Sequence, residues 1–520
     1  MVSSATTTNP IVSSSSSGSG GAGGGGASVT VDTDKGPIEG AIVGESRVFL
    51  GVPFAAPPVG NLRWKPPQPH AAWTEPLDAT MRGPKCPQLN PISPQFDATS
   101  NEDCLTLNVW APKEQPTTPV PVLVWIHGGT YIIGSGGDPA YDGQKLAEAT
   151  GSVVITINYR LGPLGFLTHD VLEAEDAAHP SSGMYAIEDQ RAALAWTRDN
   201  VAAFGGDPLN VTIFGESAGA SSVCMHLLST PSQGLYHQAI LQSGVCAFGA
   251  EATVAQANAR GASLITALGC DGADPIGCMR GKTAEEILMA QPVGATEITS
   301  PNGWGTHVDG LNLPGQPSAL LAAGDVADVP VMLGSNANEG SLFFAFADVV
   351  PDEAAYLALA EAAFPGNGAA VVAQYPSATY GSPEAAAAAA VGDAAFVCSA
   401  RRMARWLSAA GTPTFLYHFT HAPTETIVPD LGAFHSAEIA YVFGVPQLIA
   451  PDSPTPAEAP LVAAMQGYWG RMAATGDPNG DGAFLWPQYD VASDENIVLD
   501  LELTITSDLK EAQCDFFDSL

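Results

Sequence analysis

A chain of 520 residues with 46% hydrophobic content and a formal net charge of −35 can bury a large core and presents an acidic, self-repelling surface. Only 14% of its residues are charged, against roughly 25% in an average globular protein, so the acidity comes from missing Lys and Arg more than from an excess of Asp and Glu. No basic patch exists to neutralise phosphates, which excludes nucleic-acid binding and disfavours anionic membranes, and no apolar run approaches the ~18 residues a membrane span needs.

Residues 3–27 are rich in Ser, Gly and Thr and cannot bury enough surface to fold, so residues 1–27 read as a disordered tether. The N-terminus lacks the charged and apolar regions of a signal peptide. A tether ahead of a folded domain suits an exported, surface-anchored protein whose signal has been removed. From residue 28 the composition is globular, with no second linker and no internal repeat, although length alone favours more than one domain. Residues 29–32 and the alternating stretch near 40–51 read as short strands joined by Gly turns. The apolar runs 120–126 and 153–158 read as buried central strands. Helical spacing covers 189–200, a short strand 211–214, and a helix 218–228. Later strands are expected at 329–333 and 415–419, and the Ala-rich stretch 354–395 reads as a helical cap. Strands alternating with helices predict a large, mostly parallel central sheet flanked by helices.

The chemistry centres on Gly215-Glu216-Ser217-Ala218-Gly219, set between a predicted strand and a predicted helix. A Ser at the tip of such a turn stands exposed above the sheet, and side chains at the flanking glycines would collide within it. The following helix aims its N-terminal amides at the place where negative charge develops. A nucleophile in this setting needs an oxyanion hole on the loop after an earlier central strand. His127-Gly128-Gly129-Thr130 occupies that position, and the Ala218 N–H would complete the donor set.

An acid and then a base should follow the Ser in chain order. Three histidines follow the strand at 329–333. His418 sits inside an apolar strand pattern and reads as a packed residue, leaving His421 and His435, the latter in a Gly-containing loop before an apolar helix. Glu339 lies on the loop directly after its strand, whereas its competitor Asp309 precedes that strand. Spacing alone leaves both choices open.

The stretch F-G-G-D-P-L-N-V-T-I-F-G-E-S-A-G at 204–219 resembles the nucleophile signature of type B carboxylesterases, the cholinesterase-like family of α/β-hydrolases. E-D-C-L-T-L-N-V-W-A-P at 102–112 resembles that family's second signature, and further similar segments lie at 51–64, 158–167, 239–244 and 475–479. The resemblance implies one catalytic domain over 28–520 with the α/β-hydrolase fold and helical cap insertions. It implies a triad of Ser217, Glu339 and His435, with oxyanion donors on the backbone N–H groups of Gly129, Thr130 and Ala218. It further implies that Glu216 and Ser243 are polar residues behind the triad, and that Arg63–Glu102 and Arg160–Asp189 are ion pairs. Cys86–Cys104, Cys270–Cys278 and Cys398–Cys514 match the family's disulfides, which predicts an oxidising, extracellular or periplasmic compartment. Cys224 and Cys246 are expected to be free thiols.

The activity so implied is hydrolysis of small-molecule carboxylic esters through an acyl-enzyme. Lipase or amidase activity is the alternative, while a non-catalytic binding protein is argued against by the retained Ser217, Glu339 and His435. The interval between Cys86 and Cys104 contains no Trp, where cholinesterases place a choline-binding one, and Thr130 stands where the family usually has Gly or Ala. Neutral esters of primary alcohols are therefore expected to be preferred. Asp477, Asn479, Asp481 and Gly482 imitate the opening of a calcium loop, but Gln488 replaces the bidentate Glu at its twelfth position. Neither a metal nor an organic cofactor is expected.

Overall fold

Short polar-edged strands gather at the N-terminal side of a sheet, and continuous apolar strands form its middle. The computed structural model describes residues 27–90, 93, 95–246, 251–291, 303–345 and 350–520, so the predicted tether lies outside the described residues apart from Ala27. In chain order the strands are β1 (Ser28–Asp32), β2 (Pro37–Val43), β3 (Ser46–Pro53), β4 (Leu77–Asp78), β5 (Thr106–Pro112), β6 (Val120–Ile126), β7 (Val153–Ile157), β8 (Gly206–Glu216) and β9 (Gln238–Gln242). They continue as β10 (Ala252–Thr253), β11 (His307–Val308), β12 (Val331–Asn336), β13 (Thr414–Phe419), β14 (Glu495–Leu499) and β15 (Thr504–Ser507). The large sheet runs β1-β2-β3-β5-β7-β6-β8-β9-β12-β13-β14-β15, with β4 beside β2, while β10 and β11 pair separately.

From β7 to β14 every pairing is parallel. The predicted parallel sheet is thus present, but the β1–β3 meander and β5 extend it antiparallel on one side. Short links such as the turn at Gly44 (φ 60°) permit only antiparallel neighbours, because a parallel return needs a long crossover. All five residues of β7 and all six of β12 and β13 are buried, as expected of strands covered on both faces.

Alternate residues of each strand feed two cores. Val122, Val124 and Ile126 join Val153, Ile155 and Ile213 on one face, against the helices Tyr185–Asn200, Ala218–Leu228 and Cys398–Ala409. Leu123, Trp125, Phe214 and Met332 face the other way, against Ile439–Phe443 and Ala459–Thr475. The Ala-rich stretch is helical as predicted, in the pieces Glu353–Ala363, Gly368–Gln374, Ser377–Tyr380 and Pro383–Gly392. These build a third small core around Tyr356, Tyr375, Ala387 and Phe517. No helix among the described residues is long and apolar enough to cross a membrane.

Both expected ion pairs form. Arg63 Nε donates to Glu102 Oε2 at 2.7 Å, and Arg160 meets Asp189 through Nε and Nη2, each at 2.7 Å. Asp189 has no exposed surface and Arg160 only 3%, so each charge depends on the other. Asp189→Asn leaves a buried guanidinium uncompensated and should lower unfolding stability by about 3–5 kcal/mol, measured as a lower urea midpoint.

The three disulfides implied by the resemblance are present, and a fourth corrects the expectation of two free thiols: Cys224 is bonded to Cys246. The reason lies in the elbow, the sharp turn at Ser217 between β8 and the helix that starts at Ala218. Ser217 N donates to Gln242 O at 2.9 Å, and Gly244 packs so closely that a Cβ there would lie 2.3 Å from Ser217 O. The chain leaving β9 therefore runs alongside the helix that starts at Ala218, which brings the Cα atoms of 224 and 246 to 5.6 Å.

Candidate active site

Strand β8 ends at Glu216, and Ser217 turns the chain with φ 56° and ψ −122°. A positive φ is a strained conformation for a serine, and it survives only where the surroundings enforce it. A Cβ on Gly219 would lie 2.0 Å from Ile126 O, and one on Gly215 would lie 2.6 Å from the carbonyl carbon of Gly219. The two glycines let β6, β8 and the following helix converge beneath the Ser.

The loop after β6 closes over this turn. A Cβ on Gly128 would lie 2.7 Å from Glu216 Oε2 and 3.1 Å from Ser217 Cβ, so only glycine fits beside Ser217. Gly129 has φ 104°, and Thr130 and Tyr131 follow at 51° and 62°. Ile132 N and Ile133 N both donate to Gly129 O, at 3.0 and 3.1 Å, curling the loop on itself. Among the described residues, the backbone N–H groups of Gly129, Thr130 and Ala218 have no hydrogen-bond acceptor, which leaves them available to an incoming oxygen. His127 underlies the loop, stacked on Tyr159 at 4.3 Å. Burial lowers its pKa to about 4, so it is neutral.

Glu339 and His435 come from the loops after β12 and β13, strands parallel to β8. Glu339 follows β12, is 1% exposed, and accepts from Asn336 N at 2.7 Å through Oε1. Its Oε2 lies 2.6 Å from His435 Nδ1. The two loops are stitched together: Asn338 N donates to Ala433 O at 2.9 Å, and Asn336 Nδ2 donates to Phe434 O at 2.8 Å. Phe343 and Phe396 flank the imidazole, with ring centroids 5.0 and 4.7 Å away. His435 Nε2 is 3.1 Å from Glu216 Oε1, but without hydrogen-bond alignment to it or to any other described residue.

Ser217, His435, Glu216, Gly128, Gly129 and Thr130 line one cavity of about 830 Å³. A serine, an imidazole held by a carboxylate, and a loop of free amides thus share one space. Three buried carboxylates surround the imidazole. Burial pushes Glu216 above its ordinary range, with Glu438 adding to the rise, and burial likewise raises Glu438. For His435 burial favours the neutral ring, but Glu216, the hydrogen bond to Glu339 and the charge of Glu438 outweigh it and hold the imidazole above 6.5.

The other candidates lie elsewhere. His421 has both ring nitrogens engaged, Nε2 by Glu458 at 2.8 Å and Nδ1 by Asp500 at 3.0 Å. His418 is packed within β13. Asp309 caps its own turn, accepting from Asn312 N and Leu313 N at 2.8 Å, and it receives the Ser181 hydroxyl at 2.6 Å. Ser243 is fully buried, directly after the Gln242 that anchors the elbow, and its hydroxyl has no hydrogen-bond partner among the described residues. Asp477 and Asn479 are joined in a local turn, with Asn479 side-chain bonds to Trp486 N and O. Sequence reasoning missed Glu438, Asn336, Phe396 and Ser436. Glu438 follows His435 by three residues, a signal that was present; Phe396 gave none.

The family model described as the carboxylesterase family matches residues 27–517. A para-nitrobenzyl esterase of Bacillus subtilis (strain 168) is 34% identical over 490 residues, covering 92% of this chain and 96% of that one. A fumonisin B1 esterase of Sphingopyxis macrogoltabida is 35% identical over 474 residues, 88% of this chain and 84% of that one. An acetylcholinesterase of Bungarus fasciatus is 32% identical over 526 residues, 94% and 86%.

Proposed function

From the carboxylesterase family, to which this chain belongs, we propose a serine esterase in which Ser217 is the nucleophile, His435 the base and Glu339 the residue that orients the base. The observation that carries this reading is the 2.6 Å Glu339–His435 bond, with the other imidazole nitrogen uncommitted in the cavity that Ser217 lines. His435 takes the Ser217 proton as the oxygen attacks the ester carbonyl, and returns it to the departing alcohol. Water, activated by the same imidazole, then releases the acid. The amides of Gly129, Thr130 and Ala218 stabilise the tetrahedral oxyanion, each contributing on the order of 3 kcal/mol. Residues 28–520 act as one catalytic domain, a reading supported by strands from both ends of the chain lying in one sheet.

Neutral esters of primary alcohols are the preferred substrates in this proposal. Thr130 lines the cavity and adds bulk beside the oxyanion donors, where a branched alcohol must fit. The choline of an acetylcholinesterase substrate would find no Trp between Cys86 and Cys104. Dianionic esters should be slow because of the net charge, and added salt should narrow that gap. All eight cysteines are paired, which supports export to an oxidising compartment. An organophosphate should label Ser217 stoichiometrically, and ethyl acetate should be hydrolysed much faster than tert-butyl acetate. Labelling elsewhere would refute the nucleophile, and equal turnover of the two acetates would refute the role of Thr130.

A further inference from the structure

Ser436, the residue after the proposed base, has φ 78°, a conformation disfavoured for any residue carrying a Cβ. Its backbone is held there by Gln447 Nε2 and Ile439 N, which donate to Ser436 O at 2.9 and 3.2 Å. A glycine would meet that backbone requirement without strain, so the side chain is the feature the strained position retains. Its hydroxyl donates to Glu216 Oε1 at 2.8 Å, the same oxygen that lies 3.1 Å from His435 Nε2. Resting on the esterase reading above, we propose that Ser436 is a positioning residue whose hydroxyl keeps the Glu216 carboxylate ionised and fixed beside the His435 imidazole.

Glu216 is 2% exposed and faces Glu438 and Glu339, so burial and like charge both press it to take a proton. A hydroxyl donated to the charged form opposes that pressure. Ionised, Glu216 stabilises the imidazolium that forms as Ser217 gives up its proton; protonated, it does not. The remaining groups facing this pair are Glu339 and Glu438 from the surrounding loops, and the phenols of Tyr141, Tyr159 and Tyr417. Burial holds those phenols well above their ordinary range, so they stay neutral. None of these groups is altered by a substitution at 436, and the change therefore reads out through Glu216.

Three variants separate the hydroxyl from the backbone. Ser436→Gly removes the hydroxyl and relieves the strain, Ser436→Ala removes only the hydroxyl, and Ser436→Asn keeps a donor on a residue that tolerates positive φ. Kinetics on a neutral p-nitrophenyl ester from acid to alkaline pH, with melting temperatures, provide the readout. Without the hydroxyl, Glu216 protonates more readily, the imidazolium loses its support, and His435 stays neutral to lower pH. The acid limb of kcat/KM should then move down by about half a pH unit or more in the Gly and Ala variants, with kcat several-fold lower and KM nearly unchanged. Ser436→Asn should recover much of both, and Ser436→Gly should melt no lower than the parent while being less active. An unmoved or upward-moving acid limb in both Gly and Ala variants, or an effect on KM alone, would overturn the proposal. Organophosphate titration of the parent distinguishes the failures: an unlabelled Ser217 refutes the esterase reading, whereas a labelled Ser217 with an unmoved limb refutes only the role of Ser436.

Discussion

Ser217→Ala should reduce kcat/KM for ester hydrolysis by roughly 10⁵-fold or more while leaving the fold and melting temperature close to the parent's. Ser217 makes no side-chain hydrogen bond to another described residue, so its hydroxyl contributes nothing evident to stability, and alanine fits the same turn. His435→Ala should cost a similar factor, and the double variant little more, because nucleophile and base act as one unit. His421→Ala should behave in the opposite way. Its ring is tied to Glu458 and Asp500, so the variant loses stability but retains the chemistry. An active His435→Ala beside an inactive His421→Ala would invert the assignment of the base. In the parent, activity should fall as pH drops and His435 takes a proton, with the acid limb above 6.5 because Glu216, Glu339 and Glu438 outweigh the effect of burial.

Cys514→Ser should have the largest effect on stability. The Cys398–Cys514 bridge spans 116 positions, and loop-closure entropy assigns such a link about 5 kcal/mol before strain is counted. It fastens the C-terminal helix Glu511–Asp518 to the helix Cys398–Ala409, where Phe517 packs against Phe364 and Tyr375 in the cap core. Phe396, two residues before Cys398, packs on the His435 imidazole. Loosening this corner should therefore reach the imidazole, and activity should decay at temperatures below the global transition. A lower urea midpoint is the expected result, with a steeper slope because the unlinked denatured chain exposes more surface. An unreduced, denatured parent should show no alkylatable thiol, and eight reactive thiols would refute the disulfides together with the export reading.

Much of this arrangement was legible because the motifs are local. Strand, G-x-S-x-G and helix lie within one short segment, and the glycines of the proposed oxyanion loop directly follow an apolar run. The proposed acid and base were harder, since Glu339 and His435 come from separate loops and only the family resemblance chose them over Asp309 and His421. The Cys224–Cys246 bond was not legible, because it depends on how closely Gly244 approaches Ser217 O, a packing fact that spacing cannot express. The antiparallel edge of the sheet was missed for a related reason. Period-two patterns mark strands there, but their direction is set by connection length and pairing partner. Ser436 escaped notice because nothing in a sequence marks a left-handed serine.

The order of strands bears on how such a chain is made. Beyond β8 the sheet adds β9, β12, β13, β14 and β15 in the order in which they are synthesised. A ribosome or export channel releasing this chain can therefore extend the sheet one neighbour at a time, without threading a late strand between early ones. Until each successor arrives, however, the growing margin is a strand made for burial, with unpaired amides, a template for association with other chains. β15 ends that exposure: all four of its residues face solvent, and it carries Thr504, Thr506 and Ser507. A nascent chain stopped before residue 504 would leave β14 bare and should recruit chaperones or aggregate, even though Ser217, Glu339 and His435 had all already emerged.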